Sequence, residues 1–344
     1  MLHCKFMDNL THSLVAVALS RVFFKKRIAY ATTAMVVAAN LPDLDLLYSW
    51  PGIRSLEFHR GLLHSLVFLP VWALLLALGL RWATKRWPPR HAAADLPPRF
   101  GFAIALALGA VGVGSHLMLD WTNTYGIRLF APLSERWMAL DWTPVFDPWV
   151  WFLFAALLGI PMLLTLISSE VGVRKNNPHR ASAAAALILL CAWFGLRARQ
   201  HDAALELLNS QAVSNYFNGQ LPLDWAAFPT STPFQWQAIV DLPANYLVAA
   251  IDAPWDTNLG HVTLQRNYLK PPLTPSITAA QHTRTGGIFL WFARFPLSDD
   301  QEQGSLIKVT LTDMRYAQGV QRPQMRATIE MDGSLHIVSQ AFSW

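Results

Sequence analysis

The sequence has few charged residues and almost no cysteine. Asp, Glu, Lys and Arg make up 14% of its 344 residues, whereas about a quarter is usual in soluble domains. Hydrophobic residues make up 53%, and the mean hydropathy is +0.27. The two cysteines, Cys4 and Cys191, are far apart and belong to no metal-binding motif, which argues against a disulfide scaffold. This composition also argues against a simple soluble enzyme, a disordered chain and a coiled coil.

The charges are divided unevenly along the chain. Residues 1–198 carry a net charge of +8, and residues 199–344 carry −3. The basic residues of the first part stand in short clusters between apolar runs, at 25–27, 81–99 and 174–180. Nucleic-acid binding would require a basic patch interleaved with aromatic residues on a soluble face. The observed pattern instead follows the positive-inside rule of membrane proteins. The expected partner is therefore a lipid bilayer and not nucleic acid.

Six apolar segments can be drawn in the first part of the chain. A helix that crosses a bilayer needs roughly 20 apolar residues. The third, fourth and fifth segments reach that length, and the sixth nearly does. The first two are short and are separated by a basic turn, so we expect a helical hairpin that need not cross the full bilayer. The segments are residues 10–24, 28–41, 62–82, 100–119, 149–168 and 181–196.

The connections between these segments predict an orientation. The turns at 21–27, 81–99 and 169–180 together hold 12 Lys and Arg against two acids. The connections on the opposite side hold five basic and eight acidic residues. The basic side is expected to face the cytoplasm. Both ends of the membrane part, and the domain that follows it, are then outside, which in a Gram-negative cell is the periplasm.

The composition changes after Arg199, where polar and apolar residues mix and prolines recur. Alternating stretches predict strands, and Asp332-Gly333 is typical of a hairpin turn. A short helix is expected around 203–209. The sequence thus predicts an α-helical membrane domain of about six apolar helices in residues 1–198, followed by a mostly β extramembrane domain in 199–344. The predicted strands include Gly287–Phe295, Ser305–Thr312 and Arg326–Met331.

Polar residues that look out of place in the membrane part fall in four short motifs. Each motif lies at the outer end of its segment in the orientation above. Because that orientation was derived from Lys and Arg alone, the convergence of the motifs on one face is an independent observation. The motifs contain His12, then Asp43 and Asp45, then His59, Arg60 and His64, and finally His116 and Asp120.

Imidazole and carboxylate groups together form the ligand sets of Zn, Mn and Fe sites. His116 and Asp120 are four residues apart, so they share one helical face. Any one of these residues alone is more often a hydrogen-bonding or solvated group than a ligand. Together they predict one or two divalent ions, Zn or alternatively Mn. The candidate ligands are His12, Asp43, His59, His64, His116 and Asp120.

Two further residues are candidates for catalysis. Asp45 is expected to act as a general base or to orient an imidazole. Arg60 is expected to hold an anionic group such as phosphate, with a snorkelling interfacial arginine as the equal alternative. Asn123 and Tyr125 are expected to line the site. Asp141 and Asp147 are expected to close an outer loop over it, although Asp-Pro turns are usually structural.

The four motifs resemble those of the YdjM family of bacterial inner-membrane proteins. This resemblance implies that the protein is a metal-dependent hydrolase. The resemblance covers about residues 7–150, and the tail is similar to longer family members at 291–296 and 313–316. A weaker similarity reaches the zinc-dependent phospholipase C and P1 nuclease group. Its ligand order corresponds to His12, Asp43, His64, His116 and Asp120, but the second His and His-x3-Glu set of its three-zinc site is absent from this sequence. The quoted motifs are Asp-Asn-Leu-Thr-His-Ser from Asp8, Asn-Leu-Pro-Asp-Leu-Asp from Asn40, His-Arg-Gly-Leu-Leu-His-Ser from His59 and His-x3-Asp-Trp-x-Asn from His116.

The expected function is metal-assisted hydrolysis at the outer surface of the bacterial cytoplasmic membrane. The location favours a lipid or envelope ester, and the phospholipase-like ligand order favours a phosphoester. Two alternatives remain open. The cluster could pass a metal ion across the bilayer, although transport sites lie near the midplane. The metal could also be purely structural, in which case the site would be closed and fully ligated.

Overall fold

The computed structural model describes residues 8–24, 28–49, 52–88, 101–170, 179–210, 217, 219–252, 260–317 and 325–343. Contacts divide the chain into two units. The first unit contains residues 1–44 and 60–198, and the second contains residues 45–59 and 199–344. The segment 45–59, which lies between the second and third motifs, therefore belongs to the same unit as the C-terminal part.

Helices dominate the first unit, and two of them include a π-helical turn. These turns are Ser20–Phe24, which continues α1, and Ala155–Gly159, which joins α7 to α8. Short 3-10 turns lie at Pro42–Asp45 and Leu62–His64. The helices up to residue 208 are α1 (Asp8–Leu19), α2 (Ala31–Ala38), α3 (Leu46–Ser49), α4 (Arg54–Phe58), α5 (Leu69–Arg86), α6 (Phe102–Thr122), α7 (Pro148–Phe154), α8 (Ile160–Glu170) and α9 (His179–Leu208). Of these, α3, α4 and the end of α9 belong to the second unit.

Three described helical stretches are long and apolar enough to cross a membrane. They are Phe102–Thr122, Pro148–Ser168 and His179–Leu208, with mean hydropathies of 1.9, 2.4 and 1.7. A fourth span results if α5 is counted together with the bent helical stretch before it. The first two predicted segments contain shorter helices, and α2 has only eight residues. The prediction of about six spans is therefore not confirmed, whereas several apolar helices and a C-terminal β-sheet part are.

Glycines on α6 allow its neighbours to approach closely. A Cβ atom added at Gly109 would lie 2.9 Å from Ala73 Cα of α5, and one added at Gly112 would lie 2.5 Å from Ala38 Cβ of α2. Small residues at helix interfaces permit this backbone approach in membrane proteins. Consequently the end of α2 lies directly against the part of α6 that carries His116.

The loop after α6 is tied down by polar contacts. Asp147 accepts a hydrogen bond from Trp149 N at the start of α7, 3.0 Å away, and another from Trp193 Nε1, 2.8 Å away. Asp141 is also buried. The Asp147 carboxylate is thus engaged in capping α7 and in joining that helix to α9.

The second unit contains two four-stranded antiparallel sheets with strand orders β1-β2-β3-β4 and β5-β6-β7-β8. Two short helices, α10 (Pro275–Gln281) and α11 (Arg284–Phe292), stand between the sheets in the chain. The strands are β1 (Asp224–Pro229), β2 (Gln235–Asp241), β3 (Asn245–Asp252), β4 (His261–Leu269), β5 (Pro296–Gln303), β6 (Leu306–Asp313), β7 (Arg326–Asp332) and β8 (Ile337–Ser343).

The C-terminal end of α9 packs on one face of the first sheet. Ala204, Leu207 and Leu208 share a buried cluster with Trp236 of β2 and Leu247 of β3. The short helix predicted around 203–209 is therefore the continuation of the sixth apolar segment and not a separate element. Burial of its last turns on the sheet explains why the helix extends beyond the apolar run.

The strand predicted at Gly287–Phe295 is wrong, because α11 occupies most of that stretch. Thr283 caps this helix by accepting a hydrogen bond from Gly286 N, 3.0 Å away. Residues 288–292 are all apolar, so periodicity alone does not separate a buried helix from a buried strand. The strands predicted at Ser305–Thr312 and Arg326–Met331 coincide with β6 and β7.

Candidate metal centre

Five of the predicted ligands come together in the first unit. His12 lies on α1, Asp43 in the 3-10 turn after α2, and His64 in the 3-10 turn before α5. His116 and Asp120 lie one turn apart on α6. The side chains of His12, His64, His116 and Asp120 are at most 1% exposed, and that of Asp43 is 12% exposed. The site therefore opens most on the side of Asp43.

Four donor atoms in this cluster are close to one another. His64 Nε2 lies 3.3 Å from Asp43 Oδ1 and 3.7 Å from Asp120 Oδ2. His116 Nε2 lies 3.7 Å from the same Asp43 oxygen and 3.4 Å from the same Asp120 oxygen. Each imidazole thus faces both carboxylates, and each carboxylate faces both imidazoles.

These separations fit a shared metal ion. Two ligand atoms held about 2.0 to 2.2 Å from one tetrahedral ion lie roughly 3.3 to 3.6 Å from each other. All four observed distances are also longer than an ordinary nitrogen–oxygen hydrogen bond, which is about 2.7 to 3.2 Å. Two imidazoles and two carboxylates are a donor set suited to Zn, and Mn accepts the same groups.

His12 extends the cluster on its other side. Its ring stacks on that of His116, with centroids 3.9 Å apart and an angle of 23° between the planes. Its Nε2 lies 3.6 Å from Asp120 Oδ1. Ligand atoms of His12, His116 and Asp120 all lie within 4.8 Å of one another. Asp120 thus faces imidazoles with both of its oxygens, an arrangement that allows it to serve either one ion or two.

The orientation of the His116 ring follows from its backbone contact. Its Nδ1 lies 2.7 Å from the carbonyl oxygen of Ala39. Because a carbonyl oxygen only accepts, Nδ1 carries a proton and donates it, and Nε2 is the ring nitrogen that faces the cluster. Such a hydrogen bond is the usual support of a metal-binding histidine. The close packing of α2 on Gly112 brings this carbonyl to the ring.

Asn9 and Asn40 support Asp43, a role that sequence reasoning missed. The Asn9 amide donates to Asp43 Oδ2 at 2.8 Å and to Asn40 Oδ1 at 3.0 Å. The Asn40 amide in turn donates to Ser13 Oγ and to the carbonyl oxygen of Val36. Asn9, Ser13 and Asn40 all stand inside the motifs that carry the ligands. Their positions in those motifs were a signal, but sequence alone did not assign them this contact.

The environment of Asp43 favours its charged form. Burial works to raise the pKa of this carboxyl group. The neighbouring His116 and the hydrogen bond with His64 outweigh that effect and hold the pKa of Asp43 well below its ordinary value. The group is therefore a carboxylate throughout the neutral range, as a metal ligand must be.

Arg60 is buried and faces Asp120. Its Nη2 lies 2.8 Å from Asp120 Oδ1. Its Nη1 donates to Asn123 Oδ1 at 2.9 Å and to the carbonyl oxygen of Gly126 at 3.3 Å. The guanidinium carbon also lies 4.8 Å from the ring centre of Tyr125. Arg60 thus compensates the charge of Asp120 and joins that carboxylate to the loop after α6.

The two remaining predicted site residues belong to the second unit. Asp45 is completely buried, and its Oδ1 lies 2.8 Å from His59 Nδ1. A carboxylate oxygen only accepts, so His59 Nδ1 donates this hydrogen bond. This contact agrees with the expectation that Asp45 orients an imidazole. A ligand role for His59 and a catalytic role for Asp45 stay predictions.

The fold and the cluster define a membrane protein that gathers histidine and aspartate side chains at the ends of its helices. The chain belongs to the YdjM inner membrane protein family, whose family model matches residues 7–203, more than half of the sequence. The matched region includes all five clustered residues.

The chain is also similar to a protein of Bacillus subtilis (strain 168) named "Uncharacterized protein YfhP". The two are 25% identical over 166 residues, which is 45% of this chain. The aligned part covers 46% of the relative, so the match spans about half the length of each protein. No solved structure matches the chain.

Proposed function

We propose that the protein is a membrane-bound metal-dependent hydrolase that acts on a phosphoester or lipid-type substrate at the outer face of the cytoplasmic membrane. The observation that carries this proposal is the set of four donor atoms on His64, His116, Asp43 and Asp120. Their separations of 3.3 to 3.7 Å are close to those of ligands that share one ion. An ionisable cluster of this kind in a membrane protein is itself a mark of function, because burying it is costly.

Zn or Mn is the proposed cofactor, with one or two ions, and those four residues would hold the first. When bound, such an ion polarises a phosphoryl or carbonyl oxygen and lowers the pKa of water. Asp120 offers its second oxygen to Arg60 and His12. Asp43 stands on the most open side, which is where a substrate would enter. In this proposal Asp45 acts as a general base and His59 is a metal ligand, as expected from the sequence.

The outer location belongs to the proposal as well. It rests on the excess of Lys and Arg in the connections opposite the four motifs. With this orientation the C-terminal β part is extracytoplasmic, and a lipid or a lipid-linked phosphoester is the substrate nearest to the cluster.

A second candidate is a structural metal without catalysis. Four protein donors can complete a tetrahedral set, which is the mark of structural zinc sites, whereas catalytic sites keep a position open. Transport is less well supported, because the cluster lies at the ends of helices while transport sites lie near the middle of the bilayer.

The test compares wild type with Asp120→Ala, using purified protein loaded with Zn²⁺ or Mn²⁺. The substrates are bis(p-nitrophenyl) phosphate and phosphatidylglycerol in mixed micelles. We expect metal-dependent turnover by wild type that falls at least a hundredfold in Asp120→Ala, while Asp224→Asn, an exposed carboxylate on β1, keeps full activity. Equal turnover by Asp120→Ala would contradict catalysis at this cluster. Stoichiometric metal that raises the unfolding temperature without turnover of either substrate would support the structural alternative.

A further inference from the structure

An apolar cavity of about 550 Å³, open along one side, lies between α2 and α5 within the first unit. Its lining repeats every three or four residues along both helices, as expected for two facing helical surfaces. Ala34, Val37 and Leu41 belong to one side. Leu75, Gly79 and Ala83 belong to the other.

The two ends of the cavity differ in chemistry. At one end, Tyr30 and Trp87 contribute to the lining, and the Tyr30 hydroxyl donates to the carbonyl oxygen of Trp87 at 2.8 Å. Aromatic residues with polar groups are typical of the membrane–water boundary. The middle is lined by aliphatic side chains, with Gly79 leaving open space, since a Cβ added there would meet no atom within 4 Å.

The other end of the cavity is formed by Leu41, close in the chain to the His and Asp cluster. Leu41 lines the cavity and stands two residues before Asp43. Ala39, between Leu41 and the rest of α2, supplies the carbonyl that orients His116. A molecule that lies along the cavity with one end at Leu41 therefore has that end two residues away from Asp43, the most exposed member of the cluster.

The length and lining of the cavity suit a hydrocarbon chain. From Tyr30 to Leu41 the chain advances 11 residues, which is roughly 16 Å along a helix. An extended hydrocarbon chain can lie along that length, and its apolar surface matches the lining.

We infer that this cavity binds one acyl chain of a membrane lipid and so places the lipid head group at the metal centre. The inference makes a lipid the substrate of the proposed hydrolase, and in that respect it rests on the proposed function. The binding of the chain itself depends only on the shape and lining of the cavity.

The experiment uses phosphatidylglycerol with a photoactivatable diazirine in the middle of one palmitoyl chain, added to the full-length protein in nanodiscs. Cross-linked peptides are identified by mass spectrometry. We expect labelling around Val37, Leu75 and Ala83 to exceed labelling at Leu163 and Ile167 at least fivefold. The last two are exposed apolar residues of α8 and report ordinary contact with surrounding lipid.

Gly79→Leu is the variant that fills the cavity. It removes a glycine from the middle of α5 and meets open space, so the helix should be maintained or strengthened. The matched control is Gly195→Leu on α9, where an added Cβ also meets no atom within 4 Å. We expect cavity labelling to fall at least fivefold in Gly79→Leu and to stay unchanged in Gly195→Leu, with equal labelling of α8 in both.

Equal cavity labelling in the two variants would overturn the inference, and so would cavity labelling of the wild type that is no stronger than the labelling of α8. Failure of the proposed function has a different signature. If cavity labelling behaves as expected, and persists in Asp120→Ala, while wild type has no metal-dependent turnover, the lipid site stands and the hydrolase does not. If turnover is present but labelling shows no preference for the cavity, the hydrolase stands and the lipid site does not.

Discussion

The donor atoms of the cluster are aimed by groups that are not donors themselves. Ala39 fixes the proton on His116 Nδ1, and Asn9 holds one oxygen of Asp43 while the other faces both imidazoles. Side chains of this kind typically change metal affinity 10- to 100-fold when they are removed. At the scale of single residues, the site is therefore larger than its ligand set.

Replacing Asn9 by Ala is expected to weaken Zn²⁺ binding about tenfold, because Asp43 loses the hydrogen bond that orients it. The affinity is measured by competition with a chromophoric chelator. Thr11→Val is the control, since Thr11 lies on the same helix but accepts its hydrogen bond from Trp151 Nε1 at 2.9 Å. If both variants bind Zn²⁺ as tightly as wild type, Asn9 does not support the metal centre.

Arg60→Met should destabilise the metal-free protein by about 3 to 5 kcal/mol, because the buried Asp120 charge loses its partner. Bound Zn²⁺ would compensate that charge, so we expect Zn²⁺ to raise the unfolding temperature more in this variant than in wild type. The measurement is thermal unfolding in detergent with and without Zn²⁺. Arg128→Met is the control, because its partner Glu135 is 52% exposed. An identical effect of Zn²⁺ on wild type and Arg60→Met would refute this account.

At the scale of elements, the approach of α2 to α6 determines the geometry of the site. Gly112 stands one helical turn before His116, and it allows contact with Ala38, whose neighbour supplies the carbonyl to the ring. A change in the distance between these helices would move a carbonyl and an imidazole relative to each other. The packing of apolar helices and the chemistry of the cluster are therefore linked.

We expect Gly112→Ala to reduce both stability and Zn²⁺ affinity. The added methyl group would lie 2.5 Å from Ala38 Cβ, and such overpacking costs about 1 to 3 kcal/mol. Gly114→Ala on the same helix is the matched control, since the nearest neighbour of a Cβ atom added there would be Leu69 Cδ1, 3.9 Å away. That variant should be neutral or stabilising. Thermal unfolding and Zn²⁺ titration measure both effects, and a Gly112→Ala protein that behaves like Gly114→Ala would contradict the argument.

Helices and strands could be predicted from the sequence where only one type of secondary structure explains the pattern of apolar residues. The long apolar segments that became α6 and α9 and the alternating strands β6 and β7 were found. The stretch 287–295 was assigned wrongly, because an unbroken apolar run suits a buried helix as well as a strand and the cap at Thr283 decided the outcome.

At the scale of the whole molecule, the sequence revealed the cluster but not its architecture. His12, Asp43, His64, His116 and Asp120 stood out because charged and polar groups are rare in apolar segments. The number of spans did not follow, because a segment of 14 or 15 residues can end inside a protein without crossing a bilayer. The place of segment 45–59 in the second unit depends on contacts far along the chain, such as the ion pair between Glu57 and Arg284.

The orientation of the molecule can be tested with single cysteines in a background without Cys4 and Cys191. Ser134→Cys, in the loop after α6, is expected to react with a membrane-impermeant maleimide in intact cells. Lys85→Cys, at the basic end of α5, should react only after the cells are opened. Both positions are exposed, so accessibility of the side chain does not limit labelling. The reverse pattern would place the His and Asp cluster on the cytoplasmic side.

The order of the clustered residues along the chain has a consequence for biosynthesis. The cluster takes His12, Asp43 and His64 from the first 64 residues, but His116 and Asp120 come from the end of α6. Chains are made from the N-terminus, and metal binding contributes to stability only when the site is assembled. A nascent chain shorter than 116 residues therefore lacks two of the five side chains. Metal loading would follow the insertion of α6 and would report that α6 has joined α1 and the segments that carry Asp43 and His64.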